Sequence, residues 1–135
     1  MQQFLFFKVD KAYIKLRFVD ILYVEADKKY VKIVAIDKCY TTLCSIGHVE
    51  KVLPTEIFCK VHRSYIVSLE HTIKFDNDFV YIGSRRIPIS EQYRNILKNS
   101  VITLNCVVNP LQSENSFFLP QQDFPSKNSF RKNDW

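Results

Sequence analysis

Glycine is scarce in this chain of 135 residues, which contains only Gly47 and Gly83. Two glycines exclude a collagen-like repeat, and the absence of GxGxxG and GxxxxGK patterns leaves no sign of a phosphate-binding loop. The four cysteines form no CxxC pair, a pattern typical of reduced cytosolic thiols rather than disulfides. The N-terminal apolar run 4–7 is too short for a signal peptide or a membrane span. We therefore expect a soluble, cytoplasmic protein.

The composition is otherwise that of a folded and mildly basic protein. Hydrophobic residues make up 47% of the chain and aromatic residues 14%, enough to form a core and too much for a disordered chain. The net charge is +5, and its entire excess lies in residues 1–104, because residues 105–135 hold three basic and three acidic residues. Prolines, polar residues and scattered aromatics follow Leu104, so we expect one domain over 1–104 and an extended or flexible tail over 105–135.

Short apolar segments separated by polar turns run through the first hundred residues. Between Ala12 and Phe18 apolar residues alternate with polar ones, a period of two that is typical of a strand with one buried face. The polar triplets 27–29 and 76–78 indicate tight turns between further strands. Ser45 and Ser90 precede apolar residues at helical spacing and are the predicted helix N-caps. The pattern predicts short antiparallel strands with two short helices.

Catalytic chemistry finds little support in the sequence. Cys59 and His62 lie three residues apart, but no orienting group or oxyanion hole accompanies them, so packing explains them better than a nucleophile pair. Histidines and cysteines are scattered singly, which argues against a metal site. Asp76 and Asp78 are better explained as turn residues than as a calcium loop. We expect no enzymatic activity, no catalytic residue, no metal and no cofactor.

Several basic residues fall at junctions between the predicted strands. They occur in the segments 28–30, 62–65 and 85–86, and two more share the predicted final helix, Arg94 and Lys98. Loops on a rigid scaffold often carry binding groups, and arginine forks bind phosphate or guanine edges. Ordinary solvated charges would have the same spacing, so the pattern alone leaves both interpretations open.

The segment around the second junction resembles a known signature. Phe58–Ser68 reads FCKVHRSYIVS and is similar to FxxVHRSYIVN, the signature of the LytTR DNA-binding domain, the output domain of many bacterial response regulators. Upstream, Asp20–Ala26 resembles the family's DIxYIEA strand. Downstream, Ile87–Ser90 resembles the IPIS segment that precedes its final helix. These motifs occur in order across residues 4–104.

The resemblance implies a mainly β fold of small antiparallel sheets with short helices at the edges. It also implies binding to double-stranded promoter DNA, through loop side chains that enter successive major grooves. Family members commonly act as homodimers on paired direct repeats. By motif position, the DNA contacts would come from the segment 28–30, from Arg63 and Ser64, and from the segment 90–94. With His62 and the basic residues at the third junction and on the final helix, the candidate DNA-binding residues are Lys28, Lys29, Tyr30, His62, Arg63, Ser64, Arg85, Arg86, Ser90, Glu91, Gln92, Arg94 and Lys98.

The expected roles of these residues differ. The phosphate contacts are assigned mainly to Lys28, Lys29, Arg85, Arg86 and Lys98. Base edges would be read by Arg63, with contributions from Tyr30 and the segment 91–94. His62 and Tyr65 are equally compatible with contacting DNA and with bracing the loop.

The chain departs from the family pattern in three places. Glu91 occupies a position where many members carry a base-reading arginine, so the role could pass to Gln92 or Arg94. Ser68 replaces the final asparagine of the signature, which we interpret as a structural substitution. Few residues precede the β region, so the chain is either a stand-alone regulator or an excised output domain, and a receiver domain or a sensor kinase would lie outside it.

The sequence therefore predicts a bacterial transcription regulator that binds specific double-stranded DNA. The first alternative is a single-stranded nucleic-acid or RNA-binding β module, because aromatics accompany the basic turns. The second is a protein-interaction module in which the aromatic tail docks on a partner or a second copy. No membrane association is expected.

Overall fold

A computed structural model describes residues 3–106, which form ten strands, a single 3-10 turn and two α-helices. The first strands form a hairpin, a 3-10 turn at Phe18–Asp20 leads into the main sheet, and the helices follow β5 and β10. The bounds are β1 Phe4–Val9, β2 Ala12–Arg17, β3 Ile21–Asp27, β4 Tyr30–Ala35, β5 Cys39–Leu43, α1 Ile46–Val52, β6 Phe58–His62, β7 Tyr65–Ser68, β8 Lys74–Phe75, β9 Phe79–Ile82, β10 Arg85–Pro88 and α2 Glu91–Asn99.

The strands form three antiparallel sheets. The largest has the order β5-β4-β3-β7-β6, and in its centre Val24 of β3 pairs with Ile33 on one side and Ile66 on the other. A two-stranded sheet consists of β1 and β2, and a three-stranded sheet has the order β10-β9-β8. The prediction of a mainly β fold with small antiparallel sheets is confirmed.

Each face of the five-stranded sheet is covered by a separate hydrophobic cluster. On the first face, Val24 and Ile66 pack with Leu16 and Phe18, contributed by β2 and the turn after it, and with Val49 of α1. Burial of these apolar side chains is the main term that stabilises this layer.

The second cluster contains residues of the opposite face together with the three-stranded sheet and α2. Tyr23 and Val67 come from the central sheet, Val80 and Ile87 from β9 and β10, and Leu97 from α2. Because side chains alternate along a strand, the sheet contributes to both clusters and lies between them.

The two predicted N-cap positions are confirmed, with different local bonds. The Ser45 hydroxyl accepts a hydrogen bond from the His48 backbone N–H at 3.1 Å, as a capping serine does. Ser90 caps α2 without a side-chain bond. Its backbone N–H donates instead to the Val61 carbonyl at 3.0 Å, which ties the start of α2 to β6.

Three apolar residues are exposed although they lie within strands or a helix. Ile14 is 36% exposed although Leu16 on the same face of β2 is 5% exposed, because this face of the hairpin is buried only near its base. Ile96 is 50% exposed, because α2 contacts the sheet along β6 and Leu97 occupies that line of contact. Cys39 is exposed at the edge strand β5.

The predicted domain boundary at Leu104 and the predicted tail stay predictions. The compact unit that contains all of these elements ends at Ile102. Residues 107–135, which make up most of the predicted tail, lie outside the described part of the chain.

Candidate nucleic-acid interface

Two of the predicted binding turns meet at one end of the five-stranded sheet. Strands β3 and β7 are antiparallel neighbours, so the turn that follows β3, residues 27–30, lies beside the turn that precedes β7, residues 62–65. The Ala26 backbone N–H donates to the Ser64 carbonyl at 2.8 Å. This bond fixes the second turn against the end of β3.

The start of α2 is joined to the same end of the sheet. The bond from Ser90 to Val61 places the helix start beside the last residues of β6, immediately before the second turn. Glu91 and Gln92 follow in the first turn of the helix, and both are exposed. Residues 28–30, 62–64 and 90–92 therefore form a cluster of three segments, which we call the turn cluster.

His62 and Arg63 have different positions within the turn cluster. The Ser64 backbone N–H donates to Nδ1 of His62 at 3.1 Å, and the His62 ring lies edge-on to the Tyr65 ring, with centroids 5.5 Å apart. Arg63 is exposed and has no hydrogen bond or ion pair to any other residue of the described chain. The imidazole thus stiffens the turn from which the guanidinium projects.

The first turn is tight and fully exposed. Lys28 has a φ of 61°, a left-handed conformation that a side chain adopts at some cost. Lys29 is exposed, and the Tyr30 ring is 42% exposed at the start of β4. Two ammonium groups and an aromatic face are therefore presented to solvent beside Arg63.

Arg85 belongs to a polar network on the second face of the sheet. Its guanidinium donates to the hydroxyls of Tyr23 at 3.0 Å and Tyr65 at 3.3 Å, and one of its nitrogens lies 3.9 Å from a carboxylate oxygen of Glu25. The Tyr65 hydroxyl donates to Glu25 at 3.1 Å. Burial, reinforced by the Glu25 carboxylate, raises the pKa of Tyr65, so this hydroxyl stays protonated and remains a donor.

The remaining basic candidates lie on the three-stranded sheet and on α2. The guanidinium of Arg86 stacks over the Phe79 ring, 4.4 Å from its centroid. Arg94 donates to the Asn77 carbonyl at 2.8 Å and lies 3.9 Å from Asp78, so it is half-buried against the β8–β9 turn. Arg94 therefore packs against this turn, whereas Lys98, one helical turn further on, is exposed.

The two aspartates of the β8–β9 turn act as the sequence predicts. The Asp76 carboxylate accepts the backbone N–H groups of Asp78 and Phe79, both at 2.8 Å, and these bonds lower the pKa of Asp76. Among the described residues, no group of three histidine, cysteine or acidic side chains could hold a metal ion.

Cys59 is a buried packing residue, as predicted. It is 5% exposed, and burial raises the pKa of its thiol. Ser68, which replaces the asparagine of the signature, is also buried; its hydroxyl accepts the His71 backbone N–H at 3.3 Å. The interpretation of Ser68 as a structural residue agrees with this contact.

Sequence patterns missed the network of Glu25, Tyr23 and Tyr65 around Arg85. The network joins β3 to β7 and β10, which lie far apart in the chain, and the shared face of Glu25 and Tyr65 becomes visible only once the register of β3 and β7 is known. The alternation within β3 places Tyr23 and Glu25 on one face, but it gives no indication that Arg85 lies over them. Within residues 3–106, no helix is long and apolar enough to cross a membrane.

The chain is similar to known proteins in sequence and in fold. The model of the LytTr DNA-binding domain family matches residues 11–101. The chain is 32% identical over 74 residues to the sensory transduction protein LytR of Staphylococcus epidermidis, a match that covers 55% of this chain and 29% of that protein. The chain thus spans less than a third of the length of this curated relative.

The fold also matches a solved structure. The LytTr DNA-binding domain of a protein described as a methyl-accepting/DNA response regulator from Bacillus cereus superposes with a TM-score of 0.64 at 24% identity. The match covers 74% of this chain and 97% of that domain, so it extends over nearly the whole of the solved fold. Signature, fold and family match coincide, and the chain belongs to the LytTr DNA-binding domain family.

Proposed function

We propose that this chain binds specific sequences of double-stranded DNA and regulates transcription in bacteria, reading major grooves through the turn cluster. The observation that carries the proposal is the second turn, where an unpaired Arg63 projects from a backbone held by His62 and by Ala26. Pre-organised arginine forks are suited to bidentate contacts with guanine.

The geometry supports different roles for the members of the turn cluster. Lys28 and Lys29 flank Arg63 and are assigned to phosphates, which gives salt-dependent affinity. Tyr30 and Gln92 are exposed in the other two segments of the turn cluster and extend the base-reading surface. The Glu91 carboxylate accepts hydrogen bonds and cannot donate them. It would therefore select the N4 amino group of cytosine or, by its negative charge, disfavour a nearby phosphate.

The outlying candidates receive narrower roles under the same proposal. Arg86 and Lys98 remain exposed phosphate contacts. Arg85 is partly engaged by Glu25, and its contribution combines a phosphate contact with support of Tyr65. Arg94 is engaged by the β8–β9 turn, so base reading passes to Gln92 rather than to Arg94.

The wider context of the proposal follows from the relatives. One is a sensory transduction protein and another a response regulator, so we place this chain as the output part of a two-component system in the cytoplasm. A sensor kinase and a receiver domain outside this chain would supply the signal. The active species is a homodimer on paired direct repeats, without enzymatic activity.

Selection from a random pool of duplex DNA, followed by titration at several salt concentrations, tests the proposal. Arg63→Ala is expected to cost about 1–3 kcal/mol on the enriched site and to relax its specificity. Arg63→Lys is the matched control, because it keeps the charge and loses the fork. Equal losses on enriched and scrambled duplexes would make Arg63 a phosphate contact, and a selection without any enriched motif would refute sequence-specific binding.

A further inference from the structure

The β1–β2 hairpin presents a face that takes no part in the core. Its outward residues pair directly across the two strands: Phe4 with Arg17, Phe6 with Lys15, and Lys8 with Tyr13. Directly opposite residues of an antiparallel pair project from the same face, so these six side chains form one surface. We call it the outer hairpin face.

Aromatic rings and cations are interleaved on the outer hairpin face. Phe6 is 55% exposed and Tyr13 is 67% exposed. The Lys15 ammonium lies 4.2 Å from the centroid of the Phe4 ring, and the Lys8 ammonium lies 5.8 Å from that of Tyr13. The only carboxylate in strands β1 and β2 and the turn between them is Asp10, in the turn itself.

Within residues 3–106, no packing contact explains why this surface carries aromatic rings. The opposite side of the hairpin, with Leu5, Phe7 and Leu16, packs against the central sheet through the first hydrophobic cluster. Exposed aromatic rings leave apolar area in water, which is unfavourable unless a ligand covers it.

The chemistry of the outer hairpin face specifies its ligand. Because the face carries cations and no carboxylate, its ligand should be a polyanion. Because exposed aromatic rings lie beside these cations, the ligand should also have flat groups that stack on rings. A DNA duplex offers phosphates but keeps the faces of its bases stacked inside. Binding to an anionic membrane surface is typical of an amphipathic helix that lies in the interface, whereas the outer hairpin face is formed by two strands.

We propose that the outer hairpin face binds single-stranded nucleic acid, with bases stacked on Phe6 and Tyr13 and phosphates held by Lys8, Lys15 and Arg17. Side chains on one face of a strand repeat about every 6.6 Å, so successive nucleotides can meet rings and cations in alternation. The proposal is independent of the turn cluster, because the hairpin covers one face of the central sheet, whereas the turn cluster consists of three segments at one end of that sheet.

Fluorescence anisotropy with end-labelled oligothymidylate and oligouridylate of about 20 nucleotides tests the proposal and separates DNA from RNA as the source of the ligand. The key variant of the full chain is Phe6→Leu with Tyr13→Leu, which keeps the apolar area of the face and removes its stacking surfaces. We expect this variant to lose about tenfold or more in affinity for the single strands. Its affinity for the duplex enriched in the selection should remain unchanged.

Arg63→Ala is the matched control, with the opposite expectation: weaker duplex binding and unchanged affinity for single strands. Unchanged binding of the oligonucleotides by the double leucine variant would overturn the proposal, since stacking would then contribute nothing. Equal wild-type affinity for oligothymidylate and for a scrambled duplex would also overturn it. Binding to phosphatidylserine vesicles without binding to either oligonucleotide would assign the face to a membrane instead.

Discussion

Side chains in the turn cluster divide into those that hold the backbone and those that are free to contact a ligand. His62 and Tyr65 are engaged within the protein, the first by the Ser64 N–H and the second by Glu25. Arg63 and Lys28 project into solvent from the turns that these contacts stiffen. A free guanidinium on a fixed turn loses less conformational entropy on binding than one on a loose loop.

His62 gives a prediction about positioning. His62→Leu removes the acceptor for the Ser64 N–H and should weaken binding to the enriched duplex by about 1 kcal/mol. His62→Asn should recover most of that loss, because an asparagine oxygen accepts the N–H two residues further on. Hydrogen exchange at the Ser64 amide should rise in the leucine variant and return towards wild type in the asparagine variant.

Duplex titration and hydrogen exchange together distinguish the two possible roles of His62. If His62→Asn restores slow exchange at Ser64 but binds DNA as weakly as the leucine variant, the imidazole contacts DNA directly. That outcome would contradict a purely positioning role.

Elements of this fold are held together by their contact with the central sheet. The hairpin and α1 cover one face, and the three-stranded sheet and α2 cover the other. The buried face of helix α2 is narrow, since Leu97 is 1% exposed while its neighbour Ile96 is 50% exposed. The attachment of α2 to the second cluster therefore depends on one contact line, at Leu97.

Neighbouring residues of α2 make a matched pair for testing this point. Leu97→Ala should lower the free energy of unfolding by about 2–5 kcal/mol, because it leaves a cavity in the second cluster. Ile96→Ala should change it by less than about 1 kcal/mol, since little apolar area is removed from the core. Urea denaturation measures both, and similar losses would show that Ile96 is buried in solution.

Arg85 and Arg86 form a second pair, one engaged by a carboxylate and one stacked on a ring. Arg85→Gln should lower the free energy of unfolding by no more than about 1 kcal/mol, because the Arg85 side chain is 46% exposed and solvent weakens the ion pair. If both arginines also contact phosphates, each glutamine variant should reduce the slope of log affinity against log salt by about 1.

Thermal denaturation and salt titrations separate the two contributions of these arginines. Arg86→Gln should leave stability nearly unchanged, because the contacts of the exposed Arg86 guanidinium with the Phe79 ring and the Tyr81 hydroxyl are weakened by solvent. An unchanged salt slope for either variant would remove that arginine from the DNA interface.

At the scale of the whole molecule, the turn cluster and the outer hairpin face belong to different parts of the fold. The first combines three segments at one end of the central sheet, and the second is a single supersecondary unit on its first face. One copy of the chain has one turn cluster, so the proposed recognition of paired direct repeats would require two copies on one duplex.

Spacing between the repeats tests this arrangement. Two copies of the chain should bind cooperatively to repeats that lie on the same side of the duplex. An insertion of about five base pairs rotates one repeat by half a helical turn and should abolish this cooperativity. Electrophoretic mobility shifts on single, paired and respaced sites measure it. Equal affinity for single and paired sites at every spacing would contradict a dimer on DNA.

Much of the architecture could be read from local patterns. Alternation in β2, the turn residues Asp76 and Asp78, and the caps at Ser45 and Ser90 were all identifiable because each depends on neighbours within a few residues. The signature around His62 identified the family, which the family match confirms. The contact of Arg94 with the Asn77 carbonyl could not be read from local patterns, because the two residues lie 17 positions apart in sequence.

The sequence by itself determined the mainly β class, the two helix starts and the family, since periodicity, capping and an ordered motif are local properties of the chain. Only the tertiary structure decided which charges are free. Arg63 lies in one turn and Arg85 follows another, both in a basic context, yet the packing of the three-stranded sheet against β3 places Arg85 beside Glu25 and leaves Arg63 in solvent. Packing between distant strands sets that difference, because an ion pair depends on distances in space that local patterns do not encode.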